Sequence, residues 1–229
     1  DPVPIDADAA ARLGKFLPMF ELVTVRDNLS QRVLQPFTDR SVRTIPDPAL
    51  FLGSLRASKR AAHTPPAPEA PLRVGLNLAL HGPYSEALLR RNLPTFIEAF
   101  RTYQRESGCE YVYFQHSEAE WKIADLLSQG GVTLRKVGGG PDELILQYRG
   151  LSFHVCQMLH SSILAMSTDC PTVGIAYDLK SHGFFEMMGL PENCLSAEGV
   201  AAQAILNVMR RVGSGRDHLR QHIGARRGE

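Results

Sequence analysis

The chain has 229 residues, 44% of them hydrophobic and 21% charged, and its 25 Lys and Arg nearly balance 24 Asp and Glu for a net charge of +1. A chain of this size can bury one large core with appendages, and the charge balance gives no electrostatic footprint for a nucleic-acid partner. No apolar run reaches the roughly 18 residues of a membrane-spanning helix; no secretory leader is visible, and Cys109, Cys156, Cys170 and Cys194 form no C-x-x-C pair, which reads as reduced, buried thiols of a cytoplasmic protein.

The chain opens on Asp1 rather than Met. Residues 1–20 read as the end of a preceding N-terminal domain, or as an interdomain connection. ELVTVRD (21–27) is a short β-branched strand, and NLSQRVLQPF opens like a helix behind Asp27 or Asn28 as N-cap. SVRTIPDPALFL is a strand ended by Pro46 and Pro48. Residues 53–71 are a Pro/Ala-rich stretch expected to be a mobile loop. LRVGLNLAL (72–80) restarts the sheet, and Ser85 is placed to cap a helix through about Arg105, with Pro94 as a kink or restart.

EYVYFQ (110–115) is the next strand, EAEWKIADLLSQ a helix and VTLRKV a strand. Gly138, Gly139 and Gly140 read as a turn before a helix that Pro141 begins. FHVCQML (153–159) is an apolar strand ending at His160, followed by HSSILAMSTDC at helical spacing. PTVGIAY (171–177) is a buried-type strand ending at Asp178 and Lys180. EGVAAQAILNVMRRV and RDHLRQHIGARR close the chain as helices, the basic run from Arg216 to Arg227 reading as a solvated helix end. The alternation predicts an α/β fold, a doubly wound and mostly parallel Rossmann-like sheet over residues 21–210, with 211–229 a basic helix or tail.

In such sheets ligands bind outside the carboxyl ends of the strands, where helix N-termini also point. Arg26, Asp47, His81, His116, His160 and Lys180 each fall where a predicted strand runs out. His81 and His116 also read as loop or capping residues, Asp47 between two prolines as a turn former, and His154 as a hydrogen-bonded core histidine.

The pattern resembles the polysaccharide pyruvyl transferase family, including its colanic-acid-type members. The carrying residues are Thr24-Val25-Arg26-Asp27, Asp47-Pro48-Ala49, Met158-Leu159-His160, Pro171-Thr172-Val173-Gly174-Ile175-Ala176-Tyr177-Asp178-Leu179-Lys180 and Gly189-Leu190-Pro191. The resemblance spans roughly residues 1–210. It implies the C-terminal half of a two-domain, GT-B-like enzyme, without the N-terminal domain that would face it. One departure is Met158, where the family has Arg. Losing a guanidinium fork to an anionic donor corresponds to about 1.5–3 kcal/mol of charge-assisted hydrogen bonding.

The implied activity is transfer of a pyruvyl group from phosphoenolpyruvate to a pair of sugar hydroxyls, forming a ketal on an exopolysaccharide or cell-surface polysaccharide. Such chemistry needs protonation at C3, attack of two hydroxyls at C2 and departure of phosphate. His160, at a helix N-terminus whose dipole disfavours added positive charge, suits the general acid/base role. Arg26 and Lys180 would neutralise the donor's carboxylate and phosphate, and His116 and Asn77 complete the expected substrate-binding set. Phosphoenolpyruvate is the donor substrate, no cofactor is implied, and no residue cluster has metal-ligand spacing. The acceptor is a saccharide, free or lipid-linked, met in the cytoplasm or at the inner face of the membrane. Two rivals stand beside this reading. One is a GT-B-type glycosyltransferase using a nucleotide sugar, with Glu186 or Glu192 on the ribose. The other is a non-catalytic sugar- or partner-binding member.

Overall fold

Four strands are buried along almost their whole length: β3 (Arg73–Asn77), β4 (Glu110–Phe114), β6 (Phe153–Cys156) and β7 (Thr172–Ala176). Strands without a polar face are those of a parallel sheet covered on both sides. In the computed structural model, which describes residues 5–53, 71–78 and 82–228, they join β5 (Leu134–Val137) and β8 (Cys194–Ser196) in a six-stranded sheet. Its order is β5-β4-β3-β6-β7-β8, and its pairings are parallel throughout.

The order runs outward from β3 in one direction and from β6 in the other, so the winding reverses between them. That reversal opens a crevice at the carboxyl ends of β3 and β6. Helices α3 (Gly82–Ser107), α4 (Trp121–Gln129) and α8 (Ala202–Ser214) cover one face through Phe96, Phe100, Ile123 and Met209. Helices α5 (Pro141–Arg149), α6 (Leu159–Met166), α7 (Leu179–Met187) and α9 (Arg216–Gly228) cover the other. The period-two alternation of strand side chains feeds both layers. In β4, Tyr111 and Tyr113 join the first core cluster, while Val112 and Phe114 join the second with Tyr148. On that second face a Cβ at Gly75 would sit 2.4 Å from His154 Nδ1, so glycine is what admits a buried imidazole there.

The first strands depart from expectation. β1 (Val23–Val25) and β2 (Val42–Thr44), joined by α2 (Asn28–Leu34), pair in parallel with each other in a separate two-stranded sheet. The expectation that they continue the main sheet is therefore corrected. Three-residue strands with alternating exposure lack the all-buried pattern of the main strands, and their unit docks on helices instead. Gly183 of α7 lets Asp27 approach, since a Cβ there would meet Asp27 Oδ1 at 2.9 Å. Leu50 joins the apolar cluster of Ile163, Phe184 and Ile223, and Arg149 donates to the Gly53 carbonyl. Ahead of this unit, residues expected to form a connection fold as helix α1 (Ala7–Phe16), whose N-cap Asp6 accepts the Ala9 N–H at 2.8 Å.

Other boundaries shift for local reasons. The strand expected over 153–159 stops at Cys156, and Leu159 already begins α6, which makes His160 the second helical residue. Helix α3 starts at Gly82, so Ser85 lies inside its first turn, donating to the Gly82 carbonyl at 3.2 Å. The helix runs through Pro94 without ending there. β8 escapes the sequence reading because its three residues sit inside the polar run after Pro191. Glu143 accepts the Gly140 N–H at 3.0 Å, so the glycine run leads into the capped start of α5. Residues 54–70 of the expected loop, and His81, lie outside the described residues.

The basic C-terminal stretch is not a solvated end. Ile223 is fully buried, and polar side chains of α9 reach the ends of other elements. His222 contacts the Met188 carbonyl at 2.9 Å, Arg226 the Met187 carbonyl at 2.8 Å, and Arg227 the Ser167 carbonyl at 2.7 Å. These carbonyls close α7 and α6, where donors and positive charge are favourable. No described helix is long and apolar enough to cross a membrane.

Candidate functional site

The same capping device places two cations on neighbouring helix starts. Asp27, ending the Thr-Val-Arg-Asp run, caps α2 by accepting the Ser30 N–H and hydroxyl, each at 2.8 Å. Asp178, after β7, caps α7 by accepting the Ser181 N–H at 3.0 Å and hydroxyl at 2.9 Å. An Asp three residues ahead of a Ser fixes the chain where a helix begins. Arg26 therefore stands just before one cap and Lys180 two residues after the other.

Arg26 and Lys180 line one small cleft with Asp27, Asp47, Leu159, Ile163 and Phe184. The β1–β2 register pairs Val25 with Thr44 and brings Arg26 Nη1 to 2.6 Å from Asp47 Oδ2. The other Asp47 oxygen accepts the Ala49 N–H at 3.0 Å, so the Asp-Pro-Ala run is a capped turn whose carboxylate also holds Arg26. Burial pushes the Asp47 carboxyl up, but the Ala49 N–H and the Arg26 guanidinium outweigh it. The net effect holds its pKa below the usual carboxylate value, with His160 adding to the lowering. His160 does not line the cleft: it is exposed on the first turn of α6, beside the cleft-lining Leu159, and its charge is felt at Asp47. Met158, the N-cap of α6, supplies no side-chain cap.

With Arg26 held by Asp47 the cleft has room for about 20 Å³, roughly one water. A larger groove of about 320 Å³ adjoins it between α2 and α7, lined by Ile5, Leu29, Val33, Leu34 and Leu179. Asp27 and Lys180 line both. Since half of the Arg26 side chain is exposed, its ion pair is a surface pair worth about 0.2–1 kcal/mol, which an anionic ligand can displace.

His116 and Asn77 do not line that cleft. They meet each other at 3.2 Å in a buried polar cluster on the inner side of α6. Glu120, 1% exposed, accepts the His116 backbone N–H at 2.7 Å and faces Asn77 Nδ2 at 3.2 Å. Tyr148 Oη lies 3.2 Å from His116 Nε2 and 2.9 Å from Ser161 Oγ, which is 2.7 Å from His154 Nε2. Sequence reasoning missed Glu120, Tyr148 and Ser161. Only the position of Ser161, next to His160, was a signal. Glu186 instead faces Arg32 at 3.4 Å, and Glu192 is exposed. No group of three or more His, Cys, Asp or Glu among the described residues is placed to hold a metal ion.

Three solved structures similar to the chain are distant from it in sequence. A TarM mutant from S. aureus, solved in complex with fondaparinux, alpha-GlcNAc-glycerol and UDP, aligns at 14% identity with a TM-score of 0.54, covering 96% of this chain and 45% of that one. The UDP-forming alpha,alpha-trehalose-phosphate synthase from Burkholderia xenovorans aligns at 10% identity and a TM-score of 0.58, covering 98% and 62%. The corresponding synthase from Burkholderia multivorans gives 10%, 0.56, 98% and 59%. The likeness is one of fold, GT-B-like, and the chain spans roughly half of each of these neighbours. At the level of curated protein sequences nothing matches the chain. The family model described as polysaccharide pyruvyl transferase matches residues 2–178, a range that takes in Arg26, Asp47, His116 and His160 and stops two residues short of Lys180. With well over half of its length so matched, the chain belongs to the polysaccharide pyruvyl transferase family.

Proposed function

We propose that the Arg26–Lys180 cleft receives phosphoenolpyruvate and that His160 moves the protons of pyruvyl transfer to a saccharide diol. The observation that carries the reading is the meeting of Arg26 and Lys180, from different sheets and 154 positions apart in the sequence, in one cleft within electrostatic reach of His160. Two cations match the two anionic ends of the donor. On binding, the donor takes the place of Asp47 on Arg26. His160 in its protonated form delivers a proton to C3 while a sugar hydroxyl adds to C2, and the imidazole recovers a proton from that hydroxyl. The second hydroxyl then displaces phosphate, which leaves with that hydroxyl's proton. The balance is donor plus diol giving ketal plus inorganic phosphate.

Calorimetric titration with phosphoenolpyruvate, a UDP-sugar and a CMP-sugar tests the assignment. Phosphoenolpyruvate binding that Arg26→Ala and Lys180→Ala both weaken is the expected result. Binding of a nucleotide sugar in its place would overturn it in favour of glycosyl transfer.

A further inference from the structure

The polar cluster behind α6 has a direction, and the direction follows from one amide. Asn77 Nδ2 lies 3.0 Å from the Phe114 carbonyl and 3.2 Å from Glu120 Oε2. Both are acceptors, so the amide must present its NH2 and not its oxygen to them. The same nitrogen lies 3.2 Å from His116 Nδ1. An amide nitrogen cannot accept, so Nδ1 is the bare nitrogen and shares one of the two amide hydrogens with the other acceptors, Glu120 Oε2 standing 3.7 Å away. The His116 proton accordingly sits on Nε2 and is donated to Tyr148 Oη. Tyr148, with one proton, donates to Ser161 Oγ, and Ser161 donates to His154 Nε2. That last step needs a neutral His154. Burial, aided by nearby His116, supplies one by lowering its pKa to about 3. Its remaining proton then sits on Nδ1, over Gly75, without a well-formed partner among the described residues.

Both ring nitrogens of His116 are thereby engaged, and Ser161, fully buried, immediately follows His160 in the first turn of α6. That turn has no side-chain cap from Met158; the chain of hydrogen bonds ties it to α5 and the end of β4, and the Ser162 Oγ–Cys156 Sγ contact at 3.0 Å ties it to β6. We propose that Asn77, His116, Tyr148 and Ser161 form a one-way hydrogen-bond chain that holds the first turn of α6 and so sets the place of the His160 imidazole. The four are positioning residues and do not touch the donor. The kinetic part of this inference rests on the pyruvyl-transfer reading; the tautomers and the placement of His160 do not.

The test uses the whole chain labelled with 15N and two-bond proton–nitrogen spectra of the histidine rings at about pH 8, where an ordinary imidazole is neutral. His116 is expected as the Nε2–H tautomer and His154 as the Nδ1–H tautomer. The opposite tautomer at His116 would overturn the proposal. Tyr148→Phe removes one hydroxyl and keeps the ring stacked on Phe114 at 4.1 Å. It is expected to leave His116 a mixture of tautomers, to shift the His160 ring signals, and to lower kcat roughly ten- to a hundredfold with the donor KM within about twofold. Ser161→Ala should repeat the kcat loss and Ser161→Thr restore most of it. Unchanged His160 signals in Tyr148→Phe would refute positioning, whether or not phosphoenolpyruvate proves to be the donor. An inactive wild-type protein with the expected tautomers and shifts would sink the donor reading and leave the positioning intact.

Discussion

Replacing Asp47 by Asn separates the two jobs of that residue. The Asn oxygen still accepts the Ala49 N–H that caps the turn, now at 3.0 Å, while the charge on Arg26 loses its partner at 2.6 Å. The Arg26 side chain is 50% exposed and that of Asp47 16%, so the pair counts as a partly screened surface pair of about 0.2–1 kcal/mol. An anionic donor that takes Arg26 must break it. Asp47→Asn should therefore tighten phosphoenolpyruvate binding by the same amount, about 1.4- to fivefold. Arg26→Ala loses a charge-assisted contact of about 1.5–3 kcal/mol but no longer breaks the pair, for a net loss of about 0.5–2.8 kcal/mol. That is roughly a twofold to hundredfold weaker Kd. Titration calorimetry at low and high salt, with melting temperatures alongside, measures both. The reasoning is refuted if Asp47→Asn weakens donor binding while leaving the melting temperature unchanged, because Asp47 would then be a ligand and not a competitor.

Gly75→Ala should destabilise by about 1–3 kcal/mol through overpacking, since its Cβ would meet His154 Nδ1 at 2.4 Å and Leu151 at 2.6 Å; chemical denaturation reads this directly. His154 has a folded pKa lowered to about 3 from 6.5, so below about pH 6.5 the unfolded chain binds the extra proton. Stability should then fall with decreasing pH by up to about 1.4 kcal/mol per unit until the folded pKa is reached, and His154→Gln should flatten that slope. Met158→Arg places a cation at the N-cap of α6, where the dipole opposes it by about 0.3–1 kcal/mol, so any gain in donor affinity should come with a lower melting temperature. Arg227→Ala removes the ion pair to Asp169 at 2.5 Å and the bond to the Ser167 carbonyl. Amide exchange should quicken at the end of α6 while the α3–α4 face stays protected, and uniform exchange would contradict the local role of α9.

The doubly wound sheet was legible because its causes are local. All-apolar strands, turn residues and helical spacing alternate along the chain, and Val112 and Phe114 against Tyr111 and Tyr113 show the period of two that feeds both helix layers. His160 and Lys180 were legible for a related reason, since they follow β6 and β7 of the main sheet and so share its carboxyl edge. Arg26, by contrast, follows β1 of the separate two-stranded sheet and meets Lys180 only because that unit docks on α7. The Asp-x-x-Ser caps beside Arg26 and Lys180 could likewise be read from spacing. What tertiary structure decided was everything that depends on which surfaces meet. Strands β1 and β2 pair with each other because their unit docks on α7 through Asp27 and Gly183, a contact between residues 156 positions apart. The basic helix α9 folds back onto carbonyls that end α6 and α7, although its composition alone reads as solvated. The direction of the hydrogen-bond chain from Asn77 to His154 rests on angles and distances among five elements, and hydrogen bonding of that kind leaves no period in a sequence.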